Sequence, residues 1–295
     1  MTKSHDTGPH ESADPTYTDT WYWNAIDVDT GTVVWSHISW RPAVGSGQHL
    51  VALVHPTGVQ RLRADVTDPF HSELLDVEVV EPWNVSRVRC APLDWEMEWH
   101  AFHPEIDFGA LLHTGDGISL DHYEGGGRAA GTVRGDPFAG HGFRDRSFGP
   151  RNIRGFGRHS TIGMIGIDTD TFITVNLMST KEQRFSEPPG VVLGCSYRDG
   201  SASVYDSGVI VKRRRDATPA VFAFPDGIEV HLDPTTTFGQ TYFLLDPNSV
   251  PATDDSTEDV YELRDMYLEA SSPQLGRLAG WYEEGTLWVN LESPA

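Results

Sequence analysis

The sequence predicts an all-β protein, and three observations carry that prediction. Short β-branched and aromatic segments follow one another along the chain, among them "TVVWSHISW", "HLVALVHP", "LLDVEVVE", "WEMEWHAFH", "ITVNLMS", "ASVYDSGVIVKR" and "TLWVNLE", the composition of half-buried strands. Turn signals separate them: Pro56-Thr57-Gly58, Asp199-Gly200, Pro225-Asp226-Gly227 and Glu284-Gly285, where glycine, proline and aspartate suit tight reversals. No segment sustains a 3.6-residue apolar period with caps. The stretch "STEDVYELRDMYLEASSP" admits a short helix from Ser256, but Val260, Leu263, Met266 and Tyr267 compete for a strand.

The elements can be justified in order. Residues 1–15, polar and rich in Pro and Gly, are expected to form a disordered tail. "DVDTGT" (27–32) opens like a calcium loop, but Ile38 stands where a glutamate is needed, so it reads as a hairpin turn. In "WEMEWHAF" alternation places Trp95, Met97, Trp99 and Ala101 on an apolar face and Glu96, Glu98 and His100 on the other. His100 and His103, three apart on a strand, point to opposite faces and do not chelate a metal together. The Gly-rich stretch "EGGGRAAGTVRGDPFAGHG" (124–142) reads as a join near the middle. It suggests one β-barrel-like unit over 16–120 and a second over 121–295. "TDDSTED" (253–259) reads as a solvated loop and "VKRRR" (211–215) as a strand end entering a charged turn.

Composition excludes some partners. With 43 acidic and 22 basic residues the formal charge is −21, which repels nucleic acid and anionic membrane surfaces. No run approaches the ~18 apolar residues of a membrane helix. The polar start carries no secretory signal, and Cys90 and Cys195 fit free thiols in a reducing compartment better than a disulfide scaffold. The expectation is a cytoplasmic protein without membrane insertion. The acyl-hydrolase, phosphate-binding-loop, dinucleotide and zinc-protease motifs are all absent from the sequence, and no metal or cofactor is expected.

Two pieces remain, "DHYEGGGR" (121–128) and "GHGFRDRSFGPRN" (140–152). If 143–148 is extended, Phe143, Asp145 and Ser147 share one face, and Arg144, Arg146 and Phe148 the other. An inward carboxyl on an aromatic wall has a raised pKa and suits a proton donor. Equally, Asp145 could be a permanently ionised partner of Arg151 or of a backbone bend that closes the barrel and does no chemistry.

These pieces resemble the paired motif of a two-domain lipocalin-like family related to AttH and to the carotenoid hydratases (hydroxyneurosporene synthases). Its usual forms are H-Y-E-Q and G-x-R-D-H-S-W-G-x-R. "TWYWNAID" and "GRLAGWYEE" sit where that family has an aromatic first strand and a closing strand, so the likeness spans roughly residues 17–290. It implies two consecutive lipocalin/calycin-like antiparallel β-barrels packed together around an apolar pocket. Carried over, the motif gives His122, Tyr123 and Glu124, then Arg144, Asp145, Ser147, Gly149 and Arg151. Arg146 stands where histidine is usual and Phe148 where tryptophan is usual. His141 is a conceivable substitute for that histidine.

The resemblance implies an enzyme acting on an apolar terpenoid or polycyclic molecule by addition or removal of water, isomerisation or cyclisation at a carbon–carbon double bond. Asp145, Tyr123, Glu124 and His122 are the candidate catalytic residues. Trp99, Phe143, Phe148 and Trp281 are candidates for substrate binding, and Arg144 and Arg151 for electrostatic support. A non-catalytic carrier of a hydrophobic ligand and a pericyclase working by pocket shape remain open alternatives. A homodimer is compatible with either.

Overall fold

The computed structural model describes residues 5–109, 113–114, 118–119, 121–151, 156–180, 191–213, 219–245 and 260–288. The chain runs through β1 (Tyr17–Asp27), β2 (Thr32–Arg41), β3 (Ser46–His55), β4 (Gly58–Val66), β5 (Asp76–Glu81), β6 (Val85–Cys90) and β7 (Trp95–Ala101). Three short strands follow, β8 (Ile106–Asp107), β9 (His113–Thr114) and β10 (Ile118–Ser119), then the long pair β11 (Asp121–Val133) and β12 (Asp136–Pro150). The remainder is β13 (Phe156–Gly166), β14 (Phe172–Thr180), β15 (Val191–Arg198), β16 (Ser201–Tyr205), β17 (Ile210–Arg213), β18 (Pro219–Ala223), β19 (Glu229–Leu245), β20 (Val260–Ser272) and β21 (Gly276–Trp288).

Two large antiparallel sheets result, curled as in a pair of packed lipocalin-like barrels. The first runs β4-β3-β2-β1-β12-β11-β7-β6-β5, with β8 beside β11; the second runs β16-β15-β14-β13-β21-β20-β19-β18-β17. The all-β expectation therefore holds, and the stretch from Val260 is a strand; Ser256 and the acidic 253–259 segment lie outside the described residues.

Local chemistry explains the reversals. Between β1 and β2, Asp27 Oδ1 accepts the backbone N–H groups of Asp29 and Thr30 at 3.0 and 3.1 Å, and Gly31 takes φ 68°. The turn from β11 to β12 uses Arg134 at φ 54° and Gly135 at φ 83°, the paired positive angles that match the right-handed strand twist.

The Gly-rich stretch is not a break. Residues 124–142 lie in β11, β12 and their hairpin, and both strands belong to the first sheet: β12 pairs with β1, and β11 with β7. The change of sheet accordingly falls between Pro150 and Phe156 rather than at 120/121.

The expected disordered tail is packed from His5 onward. Asp6 is wholly buried and bonds the Arg144 guanidinium and the backbone N–H of Trp83. Its backbone carbonyl accepts from Trp21 Nε1 at 3.2 Å. The composition of this segment is that of a disordered chain, but its one buried carboxylate answers a cation that the fold has already buried.

Among the described residues three large apolar clusters organise the interior, with a small fourth of Trp83, Tyr123 and Phe148. One, with Trp21, Trp23, Trp95, Met97 and Trp99, fills the concave side of the first sheet. A second, with Ile162, Phe222 and Val230, does so in the second sheet. The third draws on both, with Tyr22, Trp35, Phe108 and Phe143 from the first meeting Phe172, Leu263, Tyr267 and Trp281 from the second. The candidate site lies at the edge of this shared cluster. Cys90 and Cys195 are both free and buried. Among the described residues no helix is long and apolar enough to cross a membrane.

Candidate functional site between the two sheets

Strand alternation divides the motif into two unlike faces. On β12, Phe143, Asp145 and Ser147 point toward the second sheet, while Arg144, Arg146 and Phe148 point into the first, as the sequence predicts. Glu124 is the β11 neighbour of Asp145, and His122 that of Ser147. On the other side of β12, Tyr22 and Thr20 of β1 occupy the same two rungs. The sheet thus gathers His122, Glu124, Asp145, Ser147 and Thr20 on one face.

The centre of this group is the His122 imidazole. Its Nε2 lies 2.7 Å from Glu124 Oε1 and 3.3 Å from Asp145 Oδ2. Burial alone would push the imidazole down, but Asp145 and Glu124 outweigh it and hold its pKa up at about 9, so the ring is a cation at neutral pH. Asp145 is pushed up to about 6. Burial is the chief cause, the Glu124 and Glu283 carboxylates add to it, and His122 and Arg151 oppose it. Glu124 is fully buried, accepts from Asn176 Nδ2 of β14 at 2.9 Å, and leaves its Oε2 without a partner. The Asp145 side chain is 17% exposed.

Arg151 reaches the group through hydroxyls. Its NH2 donates to Ser147 Oγ at 2.6 Å and to Thr20 Oγ1 at 3.0 Å, and Ser147 Oγ in turn donates to Asp145 Oδ1 at 3.3 Å. The expected Asp145–Arg151 pairing is thus relayed by Ser147, while the direct ionic neighbour of Asp145 is His122. On the facing sheet, His159 of β13 bonds Glu283 of β21 at 3.1 Å and Tyr261 of β20 at 2.6 Å.

The remaining sequence candidates separate. Tyr123 lies on the opposite face of β11 and packs with Phe148 and Trp83. Phe148 is buried there beside Arg146, and Trp99 is buried on the concave side, 5.8 Å from the Arg144 guanidinium. None of these three shares a face with Asp145. Phe143 does, and Trp281 meets it from the second sheet, but with ring centroids 3.8 Å apart and exposures of 2% and 1% they pack on each other as a floor.

Arg144 and Arg146 are wholly buried, the first against Asp6 and the second 2.6 Å from Asp19. Because position 146 faces away from Asp145, the arginine there removes no imidazole from the carboxyl; His122 supplies it. His141 shares the Asp145 face but lies four residues away, about 13 Å along a strand, beside Arg128.

Sequence reasoning missed Asn176, His159, Glu283 and Tyr261. Each sits singly on an ordinary strand, and only the packing of one sheet on the other brings them to the motif.

His122, Glu124 and Asp145 also offer one nitrogen and two carboxylate oxygens within 4.8 Å of one another. The donor set suits a divalent ion in kind. The 2.7 Å separation of His122 Nε2 and Glu124 Oε1 is that of a hydrogen bond, however, and the Arg151 cation acts on both His122 and Asp145. A proton fits this space better than a metal.

Fold and site together define a two-barrel lipocalin-like protein with an ionisable cluster between its sheets. The chain belongs to the family described as a domain of unknown function, DUF7064, whose model matches residues 3–221. No curated protein matches it. Among solved structures it is similar to a provisional AttH of Nitrosomonas europaea, with 14% identity, coverage of 95% and 94% of the two chains and a TM-score of 0.60. It is also similar to kievitone hydratase of Nectria haematococca, with 8% identity, coverage of 98% and 93% and a TM-score of 0.60. CghA follows with 11% identity, coverage of 93% and 89% and a TM-score of 0.52. These likenesses establish the shared fold.

Proposed function

We propose that this chain is an enzyme that adds water to, or removes it from, a carbon–carbon double bond of a small hydrophobic molecule, with Asp145 as the acid. The observation that carries the reading is a partly exposed carboxyl whose pKa is raised to about 6 beside an imidazolium that it shares with a buried glutamate. Protonation of an unactivated alkene needs a positioned acid strong enough to give up its proton yet populated near neutrality. Burial provides the second property and the adjacent His122 cation the first. In the addition direction the Asp145 O–H bond breaks as a C–H bond forms, and water captures the cation and loses a proton to a carboxylate of the site. Tyr22 and Phe143 lie on the Asp145 face of the first sheet and Trp281 of the second sheet packs against them, an aromatic floor that would stabilise positive charge. That one structural neighbour is a hydratase is consistent with this choice within the class.

The test is incubation of the protein with a panel of isoprenoid and polycyclic alkenes in heavy-oxygen water, followed by mass spectrometry. The expected result is a product heavier by one labelled water, formed about 100-fold or more slowly by Asp145→Asn, with wild-type kcat/KM falling as pH rises through about 6. A wild-type protein that releases every bound alkene unchanged is a carrier. Turnover undiminished in Asp145→Asn removes the acid and leaves a catalyst working by pocket shape.

A further inference from the structure

The wall facing Asp145 carries its own cluster of ionisable groups. Asp265 of β20 and Glu283 of β21 are directly opposite each other in the strand register, and both point toward the first sheet. Two like charges so placed destabilise a sheet. Asp265 is completely buried, and the polar groups its carboxyl meets are the hydroxyls of Tyr22 and Thr241 and the Glu283 carboxyl itself. Two carboxyl groups meeting in one buried spot are costly if both are ionised. One added proton converts an acceptor-only group into a donor. Glu283, with its side chain 14% exposed, leads outward to His159, and His159 to Tyr261.

We propose that Asp265 and Glu283 hold one proton between them and, with His159 and Tyr261, form a second proton-transfer unit on the sheet that faces Asp145. The chemistry is that of paired carboxyls in a low-dielectric site, of which one cannot ionise while its neighbour is charged. Asp265 is accordingly driven far above the ordinary carboxylate range, chiefly by burial and then by Glu283. The groups facing the pair are Tyr22 from β1, His37 from β2, Thr241 from β19, Tyr261 and Tyr267 from β20, His159 from β13 and Arg151 beyond β12. Arg151 is the one obligate cation among them. It already serves Ser147 and Thr20, and burial holds His37 down at about 4 and so neutral.

The existence of this unit is independent of the proposed reaction; its use rests on that reading. With Asp145 delivering a proton from one wall, the water that attacks the resulting cation loses its proton to the Glu283 carboxylate on the other. The product gains one water and the Glu283–Asp265 pair gains one proton; the pair then releases that proton to solvent and Asp145 takes one up, which restores the starting state. Addition from opposite faces of the double bond follows.

Infrared spectroscopy of the whole protein at about pH 8 tests the pair, because Asp145, at about 6, is then ionised. A protonated-carboxyl band is expected in the wild type, lost in Asp265→Asn and shifted in Glu283→Gln. Absence of the band, or its survival unmoved in both variants, overturns the proposal. The wild-type spectrum decides the matter even if a variant fails to fold. Nitrogen NMR of the histidines tests the relay: Tyr261→Phe should shift the His159 Nδ1 resonance, and an unmoved signal removes Tyr261 and His159 from the unit. A carboxyl band present while Asp145→Asn turns over at the full rate would retain this pair and discard the proposed acid; the reverse result would do the opposite.

Discussion

Arg144 and Arg146 flank Asp145 in sequence yet share no chemistry with it, because each residue along a strand turns to the other side. Each guanidinium is buried among indole rings, Arg144 between Trp23 and Trp83 and Arg146 3.8 Å over Trp21, and each requires a carboxylate. The alternation that sorts these side chains was legible in the sequence. The partners were not, because Asp6 lies 138 residues from Arg144 in a segment whose composition reads as disorder. Removing one member of a buried pair strands the other charge, which costs about 3–5 kcal/mol. Asp6→Ala should therefore lower stability by about that amount in urea titration. Asp14→Ala, a change in the same segment at an exposed capping aspartate, should cost less than about 1 kcal/mol. Equal, small losses from both would mean that the N-terminal segment does not hold Arg144 in solution.

At the scale of elements, the glycines decide how close rings can lie to the sheets. Gly125, Gly126 and Gly127 are consecutive residues of β11, and a Cβ on them would fall 2.7 Å from Trp83, 2.6 Å from Phe102 and 2.6 Å from Trp99 respectively. Read from sequence, that run is a break, because glycine weakens strands; the compensating rings come from distant elements that composition does not connect. Gly163 of β13 does the same for Trp281, whose indole occupies the position a Cβ would take, at 1.9 Å. Trp281 is in turn packed against Phe143, ring centroids 3.8 Å apart, so it has nowhere to retreat. Gly163→Ala should destabilise by about 3 kcal/mol, the upper part of the range for overpacking. Adding Trp281→Phe, which shortens the ring at the clash, should recover part of that loss. A double-mutant cycle by chemical denaturation checks this, and additive losses would show that the strand and ring do not meet as described.

The whole molecule depends on a core that neither sheet owns. Tyr22, Trp35, Phe108 and Phe143 are buried in one cluster with Phe172, Leu263, Tyr267 and Trp281 of the other sheet. That two β units would pack together was legible from the strand pattern with the family likeness. Which strands each sheet takes was not, because the pairing of β12 with β1 joins residues more than a hundred positions apart and no local signal encodes it. The Asn176–Glu124 hydrogen bond ties the sheets at the candidate site as well. Separation of the sheets would therefore expose a contiguous aromatic face and unseat the Glu124 carboxylate together. A fragment ending at Arg151 retains every strand of the first sheet, so strand pairing alone would let it fold. The shared core argues instead that it will keep β-rich far-ultraviolet dichroism, lose near-ultraviolet aromatic dichroism and bind hydrophobic dye, the behaviour of a chain with pairing but without fixed packing. The intact chain should unfold in a single transition followed identically by fluorescence and dichroism. A fragment with native-like aromatic dichroism, or two separated transitions in the intact protein, would mean that each sheet is stable alone and that the cleft between them can open as a hinge.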